Sequence, residues 1–336
     1  SVRVQVNFFL LMLILLPSGP TLSQNQLPDS AEQPIKLSAD LVVIDAQALD
    51  RKTGRPVGNL RKEDFLVYED GVRQEITHFS QDKFPLSIII LLDASGSVRP
   101  IMNQLRDVAL QTLRLLKPED EVALMATASR TEVIEGFTAD REAVARKIET
   151  LDEKKLGSRG ILLNEALYQA AKYMSAASNP NSRRSIIVVT DDASTQMIFE
   201  GHSKQEALHE IRENDINVCG LVTSRRLVDA GMFLFKKIHL SSSIKSYAEE
   251  TGGLVLSAGK QGLSSKFADL INHLRTRYTL AYFSSNTKAD GKFRRIKVEV
   301  SPDVERREGR LSVLAKRGYH ARRSKSADEK TQTPDK

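Results

Sequence analysis

Between Leu86 and Leu274 one pattern keeps returning: a short apolar run rich in β-branched residues, then a longer amphipathic stretch. The short runs are Ser87 to Leu92, Glu121 to Thr127, Ser185 to Thr190, Ile216 to Val222 and Leu254 to Leu256. The longer ones are Ile101 to Leu116, Arg141 to Leu151, Glu165 to Ala177, Lys204 to Asn214, Ile244 to Glu250 and Leu263 to Leu274. A run such as Ile186-Ile187-Val188-Val189 has no polar alternation, so both its faces must be covered, as in a parallel sheet between helices. The alternation predicts an α/β fold, a doubly wound and mostly parallel sheet with helices on both faces. In such sheets ligands collect outside the carboxyl ends of the strands, where strand order reverses.

On either side the period becomes that of strands. Leu41 to Ala48 partly alternates, and Asp50 to Gly54 reads as a turn. Leu66-Val67-Tyr68 and Glu75 to Phe79 flank Glu69-Asp70-Gly71, and Asp-Gly between two such runs signals a hairpin whose turn needs φ > 0. Past Leu274 come Tyr278 to Phe283, a turn at Ala289-Asp290-Gly291, the alternating Arg294 to Val300, and Leu311 to Ala315. The expected organisation is an N-terminal β-domain at 37–83, the α/β domain at 84–275 and a C-terminal β-segment at 276–320. The two β-rich parts are candidates for a shared sandwich. Residues 321–336 are charged, lack apolar period, and read as a disordered tail.

The beginning of the chain bears on destination. Arg3 precedes the apolar Val4 to Leu16, followed by Pro17-Ser18-Gly19-Pro20 and Thr21-Leu22-Ser23, with small residues placed for cleavage. This run is short beside the roughly 20 apolar residues of a membrane span. Residues 1–23 are expected to be a signal peptide and 24–36 a linker, which implies an exported protein, periplasmic, cell-surface or secreted. A membrane would be involved only through an uncleaved signal segment. The single cysteine, Cys219, permits no intrachain disulfide and lies in an apolar run, so it reads as core filler.

The net charge of +6 comes with basic pairs such as Arg306-Arg307 and Arg322-Arg323, but without interleaved aromatics; Trp is absent and aromatics make up 6%. That pattern is a solvated basic surface and argues against nucleic acid. Enzyme signatures fail on inspection. His209-Glu210 opens like a zinc-protease helix, but position 213 is Glu. No Gly-x-Ser-x-Gly elbow occurs, and Gly259-Lys260 lacks the surroundings of a phosphate loop. The residues point to no catalysis and to no small-molecule substrate.

The sharpest local feature is Ile88-Ile89-Ile90-Leu91-Leu92-Asp93-Ala94-Ser95-Gly96-Ser97. A buried strand ends in a carboxylate followed by two hydroxyls at alternate positions. Hard oxygen donors gathered at one point suit Mg²⁺ or Mn²⁺ in octahedral geometry. A second carboxylate, Asp191, stands at the end of Val188-Val189-Thr190. The plainer reading is that Asp93, Ser95 and Ser97 cap the next turn and helix.

With these residues the sequence resembles the von Willebrand factor type A family, whose metal-ion-dependent adhesion site opens with Asp-x-Ser-x-Ser. Flanking motifs extend the likeness over about residues 37–320, toward related proteins of the acidobacterial type. They are Gly54-Arg55-Pro56-Val57, Lys62-Glu63-Asp64-Phe65, Glu69-Asp70-Gly71, Leu274-Arg275-Thr276-Arg277-Tyr278, Asp290-Gly291-Lys292-Phe293-Arg294 and Arg317-Gly318-Tyr319. The resemblance implies that Asp93, Ser95 and Ser97 are first-loop metal ligands and that Asp191 is the third-loop carboxylate, acting through water. The family's second-loop Thr is replaced: the matching stretch is Arg159-Gly160-Ile161-Leu162-Leu163-Asn164-Glu165-Ala166-Leu167, and Ile161 cannot donate an oxygen. Three arrangements fit that departure: water in the missing position, Ser158 as a substitute, or a degenerate site on an intact scaffold. The function implied is recognition of a protein ligand, with a partner carboxylate completing the metal shell. An inert assembly module of an envelope complex is the competing expectation.

Overall fold

The strand-forming segments sort into three sheets. In the computed structural model the described residues are 41–81, 83–95, 102–152, 161–190, 201–223, 243–258 and 263–323. They belong to one unit, Ala39–Lys336. Strands run in order β1 (Leu41–Asp50), β2 (Phe65–Glu69), β3 (Val72–Gln74), β4 (His78–Ser80), β5 (Leu86–Asp93), β6 (Glu121–Thr127) and β7 (Thr131–Thr138). There follow β8 (Arg183–Thr190), β9 (Asn217–Thr223), β10 (Val255–Ala258), β11 (Tyr278–Phe283), β12 (Phe293–Val300), β13 (Leu311–Leu314) and β14 (Gly318–His320). The helices are α1 (Met102–Leu113), α2 (Arg141–Glu149), α3 (Leu163–Tyr173), α4 (Lys204–Glu213), α5 (Ile244–Thr251), α6 (Leu263–Arg275) and α7 (Pro302–Glu308).

The central sheet has the order β10-β9-β8-β5-β6-β7. All its pairings are parallel except β6 with the edge strand β7, which is antiparallel. Every residue of β5 and of β6 is buried, which is why these strands read as unbroken apolar runs. One face packs on Leu113 of α1, Val144 and Ile148 of α2, and Phe267, Leu270 and Ile271 of α6. The other packs on Leu167 and Ala170 of α3, Ile211 of α4, and Ile244 and Tyr247 of α5. The protein is thus α/β, doubly wound, with helices on both faces of a mostly parallel sheet. From β5 the chain first builds outward through β6 and β7, then crosses back to β8, so strand order reverses between β5 and β8.

Two four-stranded antiparallel sheets, β13-β1-β11-β4 and β14-β12-β2-β3, combine strands from before and after the α/β region. Their shared core gathers Ile44, Phe65, Val67, Tyr278, Leu280 and Tyr282. The Phe65 and Tyr278 rings lie 5.0 Å apart, and the Tyr278 hydroxyl donates to Val57 O at 2.8 Å. At the β2–β3 turn Asp70 and Gly71 both take positive φ, 47° and 84°, the geometry an Asp-Gly hairpin demands. Among the described residues no helix is long and apolar enough to cross a membrane. The expected signal peptide, linker and C-terminal tail beyond Arg323 lie outside the described residues.

Candidate functional site

Asp93 is the last residue of β5 and Thr190 the last of β8, so adjacent parallel strands deliver them to the same edge. This is the carboxyl edge, at the reversal of strand order, where a doubly wound sheet leaves a crevice. Asp93 is 0% exposed. Its Oδ2 accepts from the Thr190 hydroxyl at 2.7 Å, and its Oδ1 accepts from the Ser95 amide at 2.9 Å. The Ala94 amide donates to Thr127 O at 2.8 Å, fixing the turn on the end of β6. The carboxylate is oriented from two sides, and Ser95 is buried beside it.

Of the four expected ligands, Asp93 and Ser95 are seen at this tip, while Ser97 and Asp191 lie outside the described residues. Thr190 carries no role in the sequence reading. Its signal was positional, a hydroxyl on the last residue of a buried strand, and becomes visible only once β8 is known to adjoin β5. Ile161 is 1% exposed and belongs to the apolar cluster with Leu163, Ala166, Ile89 and Leu91. Its bulk is accommodated by the core, and the second loop offers no oxygen at that position. The donors at the described part of the tip are carboxylate and hydroxyl oxygens, which fit Mg²⁺ or Mn²⁺ in kind. Asp93 and the hydroxyl-bearing residues beside it would hold such an ion, which when bound supplies a Lewis-acidic position for an oxygen ligand. Among the described residues no group of three or more His, Cys, Asp or Glu side chains is placed to hold a metal ion.

A second polar group stands on α3 and just before α4. His202 Nδ1 lies 2.6 Å from Glu165 Oε2, and the His202 amide donates to the same oxygen at 3.0 Å. The imidazole stacks on Tyr168 with centroids 3.5 Å apart. Burial pushes the Glu165 carboxyl up, but donation from Gln169 and His202 outweighs it and leaves the group below its ordinary value. Gly201 has φ +70°, and a Cβ there would come within 2.8 Å of Glu165 Oε2, so a side chain at this position would be strained and would crowd the pairing. Cys219 is buried on β9, where desolvation raises its thiol and makes it a poor nucleophile.

Residues 88–194 match the family model described as the von Willebrand factor type A domain. The chain carries a von Willebrand factor type A domain. No curated protein matches the sequence. Among solved structures it is similar to BatB from Bacteroides thetaiotaomicron, at 16% identity over 56% of this chain and 98% of that one, with a TM-score of 0.43. It is also similar to a von Willebrand factor type A protein from Catenulispora acidiphila, at 11% identity over 88% of this chain and 76% of that one, with a TM-score of 0.45. A third is proximal thread matrix protein 1 of the mussel byssus, described with a zinc-occupied MIDAS motif. It matches at 14% identity over 57% of this chain and 48% of that one, with a TM-score of 0.45.

Proposed function

We propose that this is an exported, non-enzymatic protein-recognition module whose type A domain engages a protein ligand through the Asp93 tip. The observation that carries the reading is the buried Asp93 carboxylate, held at the strand-order reversal by the Thr190 hydroxyl and the Ser95 amide. A carboxylate aimed this way at a loop edge suits a divalent cation, Mg²⁺ or Mn²⁺, with Ser97 and Asp191 as the remaining ligands. A carboxylate from the partner would then fill the open position. The missing second-loop oxygen at Ile161 makes the ion weakly held, with water in its place.

A second reading, an assembly module of an envelope complex that binds without metal, is favoured by Ile161 itself. A residue 1% exposed in the apolar cluster is kept for packing. Thermal melting of the full chain with and without millimolar Mg²⁺ or Mn²⁺ separates the two, because a ligand of the native state alone must raise the midpoint. The metal-dependent reading expects a saturable rise that disappears in Asp93→Ala and grows in Ile161→Thr. An unchanged midpoint for the wild-type chain would leave the metal-free module.

A further inference from the structure

At the opposite, amino edge of the central sheet lies a cavity of about 390 Å³ between the α/β core and the β1/β11 sheet. Arg183 at the start of β8 and Arg277 just before β11 line it, 7% and 2% exposed. Their hydrogen bonds go mostly to neutral acceptors. Arg277 Nη2 donates to Asp45 O and Gly252 O, both at 2.9 Å, and Nη1 to Asn217 Oδ1 at 3.3 Å. Arg183 Nη2 donates to Arg277 O at 3.1 Å and Thr279 Oγ1 at 3.2 Å. Among the described residues the one carboxylate in ion-pair contact with either is that of Asp45. It lies 3.3 Å from Arg183 Nε, and among the described residues no carboxylate is within ion-pair distance of Arg277.

The charge balance does not close. Arg183, Arg184, Arg212, Arg277 and Lys316 line the cavity against Asp45, Glu213, Asp215 and Glu250. With Arg212 paired to Glu250 and Lys316 to Asp215, the buried Arg183 and Arg277 have, among the described residues, only the Asp45 carboxylate within ion-pair reach, and its side chain is 31% exposed. Gly252 O, just past α5, supplies a helix-end carbonyl, but such an end carries only about half a charge. Buried charges are ordinarily paired, since leaving one alone costs several kcal/mol. Unmet donors converge on the same place. Arg183 Nη1, Arg277 Nε, Arg212 Nε and Ser185 Oγ are buried without a hydrogen-bond partner, Arg183 Nε meets Asp45 only as an ion pair, and all four residues line this cavity. Arg212 is the exception in charge, being paired with Glu250 at 2.6 Å. Burial also pulls Arg277 below the ordinary arginine value, and the attraction of Asp45 offsets this only in part.

We propose that this cavity is an oxyanion site, in which a carboxylate or phosphate group seats against Arg183 and Arg277 and supplies the missing negative charge. The planar forks of the two arginines match either group. The site stands on the far edge from Asp93 and does not depend on the reading of that tip.

The test is to melt the full chain in increasing sodium phosphate or sodium acetate, at constant ionic strength set with chloride. A saturable rise in Tm is expected with at least one of them, roughly 2–5 °C at tenfold excess over Kd. A tighter response to phosphate assigns a phosphoryl ligand, and a tighter response to acetate a carboxylate. Arg183→Gln should weaken the response at least tenfold, while Arg146→Gln, the same charge loss on α2, should leave it intact. The arginine Nε–H resonances of the unmodified chain give a readout that needs no variant: buried signals should move with the same midpoint. No saturable change with either salt, equal affinity in Arg183→Gln, or silent resonances would each overturn the proposal and leave a water-filled cavity.

Discussion

The two ends of the central sheet handle buried charge in opposite ways. At the carboxyl edge the Asp93 carboxylate meets a hydroxyl and an amide. At the amino edge the guanidinium groups of Arg183 and Arg277 meet carbonyls, hydroxyl and amide oxygens and a shared Asp45. The strand–helix repeat contributes to the contrast without sorting every charge, since the buried carboxylates of Asp120 and Glu121 also lie at the amino edge, where β6 begins. Helices that follow parallel strands start at the carboxyl edge and end at the amino edge, so helix N-termini favour acidic groups above and helix C-termini basic groups below. On the readings proposed above, the carboxyl edge would present oxygen to a cation and the amino edge N–H to an anion.

The largest effect expected from disturbing this arrangement lies at the amino edge. Arg277→Ala removes three hydrogen bonds that join β1, β9 and the end of α5. The three bonds come from a charged donor, about 1.5 kcal/mol or more each, so the loss should be about 3–5 kcal/mol in urea denaturation, and Arg277→Lys should recover only part, because an ammonium cannot reproduce the fork. A loss under 1 kcal/mol would mean that the edge is held by packing alone. Asp93→Ala at the other edge removes the acceptor of the Thr190 hydroxyl and the Ser95 amide and should cost about 1–3 kcal/mol in metal-free buffer. Equal losses at the two edges would erase the contrast.

The smallest effect is one of pH. Burial raises Glu121 at the amino end of β6, but the hydroxyls of Ser87 and Ser178 and the amides of Ser178 and Asn179 outweigh it and hold the carboxyl below its ordinary 4.5. A depressed folded-state value contributes stability that is present at neutral pH and lost as pH falls through it. Urea midpoints measured from pH 7 down to roughly pH 3 should therefore drop less steeply for Glu121→Gln than for the wild-type chain. Parallel curves would show that Glu121 is not the acid-sensitive group.

How much of this could be read beforehand depended on whether a residue's surroundings are local. The unbroken runs of β5 and β8 announce strands covered on both faces, and Asp70-Gly71 announces its own turn. By contrast β7 is only half buried, contains Gly136 and pairs with β6 through shifts of register, so Thr131–Thr138 carries no clean period. Helix α7 is too short for a visible stripe, with Val304 its one buried residue. Its signal was at its ends, Ser301 before Pro302 and Gly309 at φ +86° after Glu308. Asp93 could be picked out as a strand-end carboxylate, but its meeting with Thr190 depends on β8 returning beside β5. Arg183 and Arg277 were invisible as site residues, because arginine in a sequence reads as surface. Only the folded chain reveals that both are enclosed.

The interleaving of the two antiparallel sheets also sets an order of assembly. β1 has β11 and β13 as its sheet neighbours, with Leu41 opposite Phe283 and Asp50 opposite Leu311. During translation the ribosome releases β1 first and its neighbours last, after the whole α/β region has emerged. Closing such a distant pairing is slow, and an unmatched apolar strand is a template for association with other chains. A nascent polypeptide interrupted before Tyr278 can complete the α/β core and still display β1 with nothing to zip against, which makes it a client for a chaperone.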